Sequence, residues 1–66
     1  MKMFYDVIYS PEDKGYYAEV YDIDGKEVGF DGDIHTSGNG AAKEAARWIT
    51  AKGASVVRVS VHYTHT

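Results

Sequence analysis

The chain has 66 residues, 44% of them hydrophobic, which is enough for one small domain with a thin core. It contains no cysteine, and this excludes disulfides, thiolate metal sites and cysteine nucleophiles. The net charge at pH 7 is −3, with too few basic residues to favour direct nucleic-acid binding. No apolar run approaches the roughly 20 residues of a membrane span, and the N-terminus lacks an apolar signal stretch. We therefore expect a cytoplasmic protein.

The charge is distributed unevenly along the chain. Residues 12–33 carry eight carboxylates against two lysines, a net charge of −6, whereas residues 34–66 carry four lysines and arginines against one glutamate. The uneven electrostatic field that results from this distribution affects the choice of binding partner more than it affects the fold. Six of the nine aromatic residues are tyrosines, which are common where proteins bind one another.

Two strands and a hairpin turn are predicted in the first third of the chain. Residues 3–10 mix aromatic and β-branched side chains and lead into the turn-forming segment 10–15. Residues 16–22 form the second predicted strand. The Asp24-Gly25 pair that follows is a strong hairpin signal, and it predicts a third strand from Lys26 to Ile34.

One helix and one further strand complete the prediction. Segment 36–40 is rich in glycine and capping residues, and residues 41–52 are good helix formers that end at Gly53. The last strand is predicted from Ser55 to Thr64. The order is β-β-β-α-β, an α+β fold with an antiparallel hairpin meander and one helix packed on one face of a four-stranded sheet, in a single domain over residues 1–66. Crossover geometry allows the last strand beside the first, which gives the order 4-1-2-3.

Alternation along the strands and helical spacing predict which side chains form the core. The strand positions expected to face the helix are Tyr5, Val7, Tyr9, Tyr16, Ala18, Val20, Val28, Phe30, Ile34, Val57, Val59, Val61 and Tyr63. The helix positions expected to meet them are Ala42, Ala45, Ala46, Trp48 and Ile49. The opposite side of the sheet is then open, and it carries Tyr17, Glu19, Tyr21, Glu27, Asp31, Asp33, Arg58 and His62, with Phe4 and Ile8 from the first strand.

The open side of the predicted sheet is acidic and aromatic. Asp31 and Asp33 would lie about 6.8 Å apart along a strand, close to the spacing of alternate phosphates in one DNA strand. Close like charges cost stability, which favours a functional surface over a merely solvated one, although antiparallel sheets often leave one face to water. The predicted partner-binding residues are Tyr17, Glu19, Tyr21, Asp22, Asp24, Glu27, Asp31 and Asp33.

Catalytic, cofactor and metal sites are not predicted. Segment 38–43 begins like a phosphate-binding glycine loop, but Lys43 stands where the third glycine belongs, so we interpret the segment as a helix cap with Ser37 or Asn39 as acceptor. His62 and His65 would lie on opposite faces of an extended strand, and His35 stands alone, so metal ligands do not converge. We expect no enzyme activity, no cofactor, and no nucleic-acid or membrane partner.

Four short segments carry a family resemblance: Tyr17-Ala18-Glu19-Val20, Asp24-Gly25-Lys26, Gly40-Ala41-Ala42 and Ala45-Ala46. Over residues 16–53 the chain resembles small phage-encoded anti-CRISPR proteins that act on type I systems. The resemblance implies non-catalytic, stoichiometric binding to a basic subunit of a CRISPR effector complex in the host bacterial cell, often over its DNA-binding surface.

The β-β-β-α-β order, with Glu44-Ala45-Ala46 in the helix, is also similar to the partial RNase H-like domain of HicB antitoxins, which neutralise a basic RNA-cleaving toxin. HicB-like chains usually carry a Pro-Gly-Cys segment before the helix, whereas residues 30–35 here contain neither proline nor cysteine. A third interpretation is a homodimer in which the last strand, Val56 to Thr64, pairs with its own copy.

Overall fold

A computed structural model of the chain describes residues 1–59. The elements are β1 (Lys2–Ser10), β2 (Gly15–Tyr21), α1 (Gly38–Ala51) and β3 (Ser55–Arg58). They form a three-stranded mixed sheet in the order β2-β1-β3, in which β1 is antiparallel to β2 and parallel to β3. The predicted α+β class with one helix is confirmed. The last strand lies beside the first, the position that crossover geometry allowed.

The predicted four-stranded sheet is wrong, because the segment from Lys26 to Ile34 does not form a strand. It meets β2 only through isolated bridges, which pair Tyr21 with Glu27 at one end and Tyr16 with His35 at the other. Glycines at 29 and 32 weaken extended structure. In addition, the amide of Phe30 donates to the carbonyl of Val28 at 2.7 Å, and such a γ-turn bends the chain out of a strand.

The side assignment of the last strand is also wrong. Val56 registers with Met3 and packs against the core, whereas Val57 registers with Phe4 on the opposite side. The alternation of apolar residues could not show which side of this strand faces the helix, because valines occur at both odd and even positions. The part of this predicted strand from residue 60 onward, including His62 and the core positions Val61 and Tyr63, lies outside the described residues.

The core lies between α1 and one face of the sheet. Its buried members are Tyr5, Val7, Ala18, Val20, Ala41, Ala42, Ala45 and Ile49. Small alanine side chains bring the helix backbone close to the sheet. Among the predicted core residues, Tyr9, Ile34 and Val59 are 46%, 48% and 38% exposed, so these three predictions are wrong. Tyr9 lies near the end of β1, where its ring packs edge-on against Tyr16.

Local signals at the turn and at both helix ends agree with the sequence. The chain turns at Asp24-Gly25, where Gly25 has φ of 83°. The Ser37 side chain accepts a hydrogen bond from the Gly40 amide at 3.1 Å, which caps the helix N-terminus. Gly53 has φ of 79° just after α1, the left-handed conformation that ends many helices. No helix within residues 1–59 has the length and apolar character needed to cross a membrane.

Gly15 holds segment 34–35 close to β2, and replacing it with alanine tests this contact. A Cβ at Gly15 would clash with Cγ2 of Ile34 and lie 2.8 Å from the carbonyl oxygen of His35. We expect Gly15→Ala to lower the free energy of unfolding by about 1–3 kcal/mol in chemical denaturation. Gly29→Ala is the matched control, because its Cβ would meet nothing within 4 Å. Equal stability of the two variants would contradict the close approach.

Candidate protein-binding face

The face of the sheet opposite α1 is formed by side chains that alternate with the buried ones. The cross-strand pairs on it are Phe4 with Tyr21, Asp6 with Glu19, Ile8 with Tyr17, and Phe4 with Val57. All of these residues are partly exposed. The bridge to Tyr21 adds Glu27 to the same side. These eight residues form the open face of the sheet: Phe4, Asp6, Ile8, Tyr17, Glu19, Tyr21, Glu27 and Val57.

The centre of the open face is a pair of like charges. Asp6 and Glu19 are directly opposite each other in the β1–β2 register, an arrangement that destabilises a sheet. One carboxylate oxygen of Glu19 accepts a hydrogen bond from the Tyr21 hydroxyl at 2.6 Å. The Oδ1 atom of Asp6 is buried and has no hydrogen-bond partner among residues 1–59. The residues described thus leave this acidic pair only partly compensated.

The pKa values of two tyrosines on the open face reflect the negative charge around them. The pKa of Tyr21 is raised, first by the hydrogen bond from its hydroxyl to Glu19, then by burial and by the charges of Glu19, Asp6 and Glu27. The pKa of Tyr17 is raised by burial first and then by nearby carboxylates, which include Glu19, Glu27 and Asp6. Because both phenols respond to the same three carboxylates, these groups form one acidic surface.

Removing the Glu19 carboxylate is expected to lower the pKa of Tyr21 toward its ordinary value of 10.0. A spectrophotometric titration of Glu19→Ala should therefore show one more tyrosine ionising near pH 10 than the wild type shows. The raised pKa in the fold gives stability that is present below about pH 10 and is lost as the pH rises further. Glu12→Ala, in an exposed turn, is the control. Identical titration curves for Glu19→Ala and wild type would contradict the hydrogen bond.

A groove lies at one end of the open face. Its volume is about 350 Å³, and its walls combine apolar side chains with two carboxylates. The lining residues are Phe4, Asp6, Tyr21, Asp22, Ile23, Gly25 and Val59. In this groove the carboxylates of Asp6 and Asp22 lie near the aromatic rings of Phe4 and Tyr21.

The structure brings together some of the predicted partner-binding residues. Tyr17, Glu19, Tyr21 and Glu27 share the open face. Asp22 borders it, and its Oδ1 accepts hydrogen bonds from the amides of Asp24 at 2.9 Å and Lys26 at 3.0 Å. Asp22 therefore builds the turn. Asp24 is exposed within the same turn.

Asp31 and Asp33 lie elsewhere, beside the helix. The amide of Asp33 donates to Oε1 of Glu44 in α1 at 3.0 Å, and the same oxygen lies 2.8 Å from Nε2 of His35. Because the segment is not a strand, the predicted spacing along a strand and its match to DNA phosphates no longer apply. The two aspartates therefore do not belong to the open face.

Four open-face residues, Phe4, Asp6, Ile8 and Val57, were not among the predicted binding residues. For the three in β1 a signal was present in the sequence, since a carboxylate between two apolar residues at alternate positions indicates a sheet face that is partly polar and partly apolar. The predicted open-face position Arg58 is wrong. Its guanidinium lies 5.9 Å from the ring centre of Tyr5, on the helix side of the sheet.

A second groove, of about 370 Å³, lies on the helix side. It is lined by His35, Gly40, Lys43, Glu44 and Arg47. A Cβ at Gly40 would lie 3.0 Å from Nδ1 of His35, so this ring nitrogen is packed against the helix while Nε2 is held by Glu44. Within the described part of the chain, no three histidine or acidic side chains gather closely enough to hold a metal ion.

No protein-family model, curated protein or solved structure matches the chain.

Proposed function

We propose that the protein is a non-catalytic inhibitor that binds a basic protein surface through the open face. The observation that carries this proposal is the opposed pair of Asp6 and Glu19, flanked by Glu27 and two tyrosines. Within residues 1–59 no lysine, arginine or histidine nitrogen lies within 4.0 Å of these three carboxylates, and the contact of His35 with Glu44 is on the other side of the sheet. A basic partner would supply the missing positive charge.

The open face combines the two features that a binding surface needs. Its carboxylates steer a positively charged partner into place, which raises the rate of association and selects against acidic surfaces. Its aromatic and aliphatic side chains, Phe4, Ile8, Tyr17, Tyr21 and Val57, provide apolar area that becomes buried on contact. Binding of this kind requires no cofactor and no chemical step.

The target that we propose is a basic, nucleic-acid-binding subunit of a type I CRISPR effector complex in the host bacterial cytoplasm. The resemblance over residues 16–53 supports this choice, together with the concentration of carboxylates in residues 12–33. A protein of this size that occupies a basic groove would block the nucleic acid by competition, with a fixed number of copies per complex.

A HicB-like antitoxin is the second candidate, and the path of residues 26–35 favours it. The bridges of Glu27 to Tyr21 and of His35 to Tyr16 keep this segment beside β2, so the chain follows a β-β-β-α-β path without forming the full third strand. In this case the open face would bind a basic ribonuclease toxin. The same surface serves both candidates, and only the identity of the partner differs.

Affinity capture separates these candidates. The tagged protein is used as bait in bacterial lysates that contain either a type I effector complex or a basic ribonuclease toxin, and bound proteins are released by a salt gradient. We expect an effector subunit to be retained at low salt and released by about 0.5 M salt, because screening weakens contacts between exposed charges. Capture of the toxin alone would favour the antitoxin. Capture of neither, or retention that ignores salt, would contradict the proposal.

A further inference from the structure

Segment 26–35 runs beside β2 and is bridged to it near its two ends. We propose that this segment has two registers against β2, and that contacts of Glu44 in α1 select the one seen in the structure. In this looped register, His35 is bridged to Tyr16. In the second register, residues 27–32 pair continuously with β2. The exchange between the two requires no partner and no cofactor.

The outer edge of β2, which faces the segment, has a gap in its hydrogen bonding. Tyr16, Val20 and Asp22 bond to the segment across this edge, so alternate residues of β2 point their amides and carbonyls toward it. Ala18 belongs to the same alternation, but neither its amide nor its carbonyl bonds to the segment. Ala18 is only 4% exposed, and buried backbone groups nearly always have a partner. The looped register therefore carries a cost at Ala18.

The gap arises because the segment is longer than the part of β2 that it follows. It bonds to Val20 through Val28 and to Tyr16 through His35. Seven residue steps separate these two contacts along the segment, whereas four separate them along β2, so three residues are in excess. The segment leaves the direction of a strand where the Phe30 amide donates to the Val28 carbonyl. The extra residues are thus accommodated beside the gap.

The second register follows from the bridge of Glu27 to Tyr21. Each step along one antiparallel strand matches one step along the other, so continuous pairing from this bridge places Phe30 opposite Ala18. The amide and carbonyl of Ala18 then bond to those of Phe30, and the gap closes. The three extra residues move beyond the end of β2.

The side chains of the segment suit this second register. Val28 and Phe30 would face α1, and both already pack against the core. Glu27 and Asp31 alternate with them and would face the other side of the sheet, where Asp31 is opposite Tyr17. Alternation of this kind is typical of an antiparallel strand with one buried face.

Glu44 stabilises the looped register. Its Oε1 atom accepts a hydrogen bond from the Asp33 amide at 3.0 Å and lies 2.8 Å from Nε2 of His35. In the second register His35 lies beyond the end of β2, so both contacts are lost while the backbone of Ala18 gains its partner. Each register therefore satisfies polar groups that the other leaves open. While Glu44 holds the segment, Asp31 stays away from the open face, and release of the segment adds its carboxylate to that face.

NMR of the isotope-labelled full chain distinguishes the two registers. Close amide protons of residues 16 and 35 identify the looped register, because these residues form a hydrogen-bonded antiparallel pair. Close α-protons of Tyr17 and Asp31 identify the second register, in which they form a non-hydrogen-bonded pair. The exchange rate of the Ala18 amide is an independent measure, since it slows when that amide is bonded. The wild type should show the looped register.

Two variants release the segment from opposite sides of the same contact, Glu44→Ala and His35→Ala. We expect each to gain the α-proton contact of the second register and to slow exchange of the Ala18 amide by about tenfold or more. Lys43→Ala, an exposed neighbour on the same helix, is the matched control and should behave as the wild type. The spectrum of each variant also shows whether the rest of the fold is intact. Retention of the looped register in both variants, or loss of the contacts of both registers in a folded variant, would overturn the inference.

Discussion

Replacing Ile49 with alanine is expected to lower the free energy of unfolding by about 3 kcal/mol, within the range of 2–5 kcal/mol that is common for buried Ile-to-Ala changes. Ile49 is fully buried, and with Val7 and Val20 it is one of the three largest such side chains in residues 1–59. Because several of its core neighbours are alanines, few large side chains remain to fill the cavity. Small domains have only about 5 kcal/mol to lose, so the variant should keep less than half of its stability, about 2 kcal/mol.

Chemical denaturation followed by Trp48 fluorescence measures this loss. The Trp48 ring packs edge-on against Phe30 at a centroid distance of 5.3 Å, so its emission should respond to loss of the packed helix. Ile23→Ala is the matched control, since Ile23 is 68% exposed and should change stability by less than about 0.5 kcal/mol. A comparable loss from both changes would show that the core does not lie under α1.

Neutralising Glu19 and Glu27 together, as Glu19→Gln with Glu27→Gln, is expected to weaken partner binding by about tenfold or more. The two carboxylates share the negative surface of the open face, where they raise the pKa of both Tyr17 and Tyr21. Glutamine keeps the size of each side chain, and at position 19 it keeps an acceptor for the Tyr21 hydroxyl. The change therefore removes charge with little change in shape. Calorimetry or biolayer interferometry with the captured partner gives the affinity.

The matched control for this double variant is Asp31→Asn with Asp33→Asn. Both double variants remove two negative charges from a protein of net charge −3, so long-range attraction falls equally in the two. The aspartates lie beside α1, where the Asp33 amide is bound to Glu44, and we expect their loss to weaken binding by less than about threefold. If the aspartate variant binds more weakly than the glutamate variant, the binding surface lies on the helix side.

The sequence predicts those parts of the fold that depend on local signals. The first hairpin, the turn at Asp24-Gly25, the cap at Ser37 and the single helix each follow from the preferences of a few adjacent residues. The division of β2 into Ala18 and Val20 on one side and Tyr17 and Glu19 on the other also follows from alternation. These features are the ones that position the tyrosines and Glu19 of the open face.

The predictions are wrong where tertiary contacts determine whether a segment forms a strand or which way its side chains point. Glu44 of α1 contacts the Asp33 amide and His35, and these contacts hold segment 31–35 beside the helix. No local sequence pattern predicts them. In the last strand, valines occur at both odd and even positions, so the pairing with Met3 and Phe4 of β1 determines which valines face the helix. The outward side of β1, with Phe4 and Ile8, follows from alternation, but the pairing of Asp6 with Glu19 depends on the register of two strands. The acidic pair therefore becomes visible only in the structure.

DNA binding by a purified type I effector complex, measured as the protein is added, tests the central claim most directly. The wild-type protein should abolish DNA binding at a fixed molar ratio to the complex, and inhibition should weaken between about 50 mM and about 500 mM added salt. The Glu19→Gln, Glu27→Gln variant should need about tenfold more protein for the same inhibition. Absence of inhibition by the wild type, or equal inhibition by the wild type and this variant, would contradict the account.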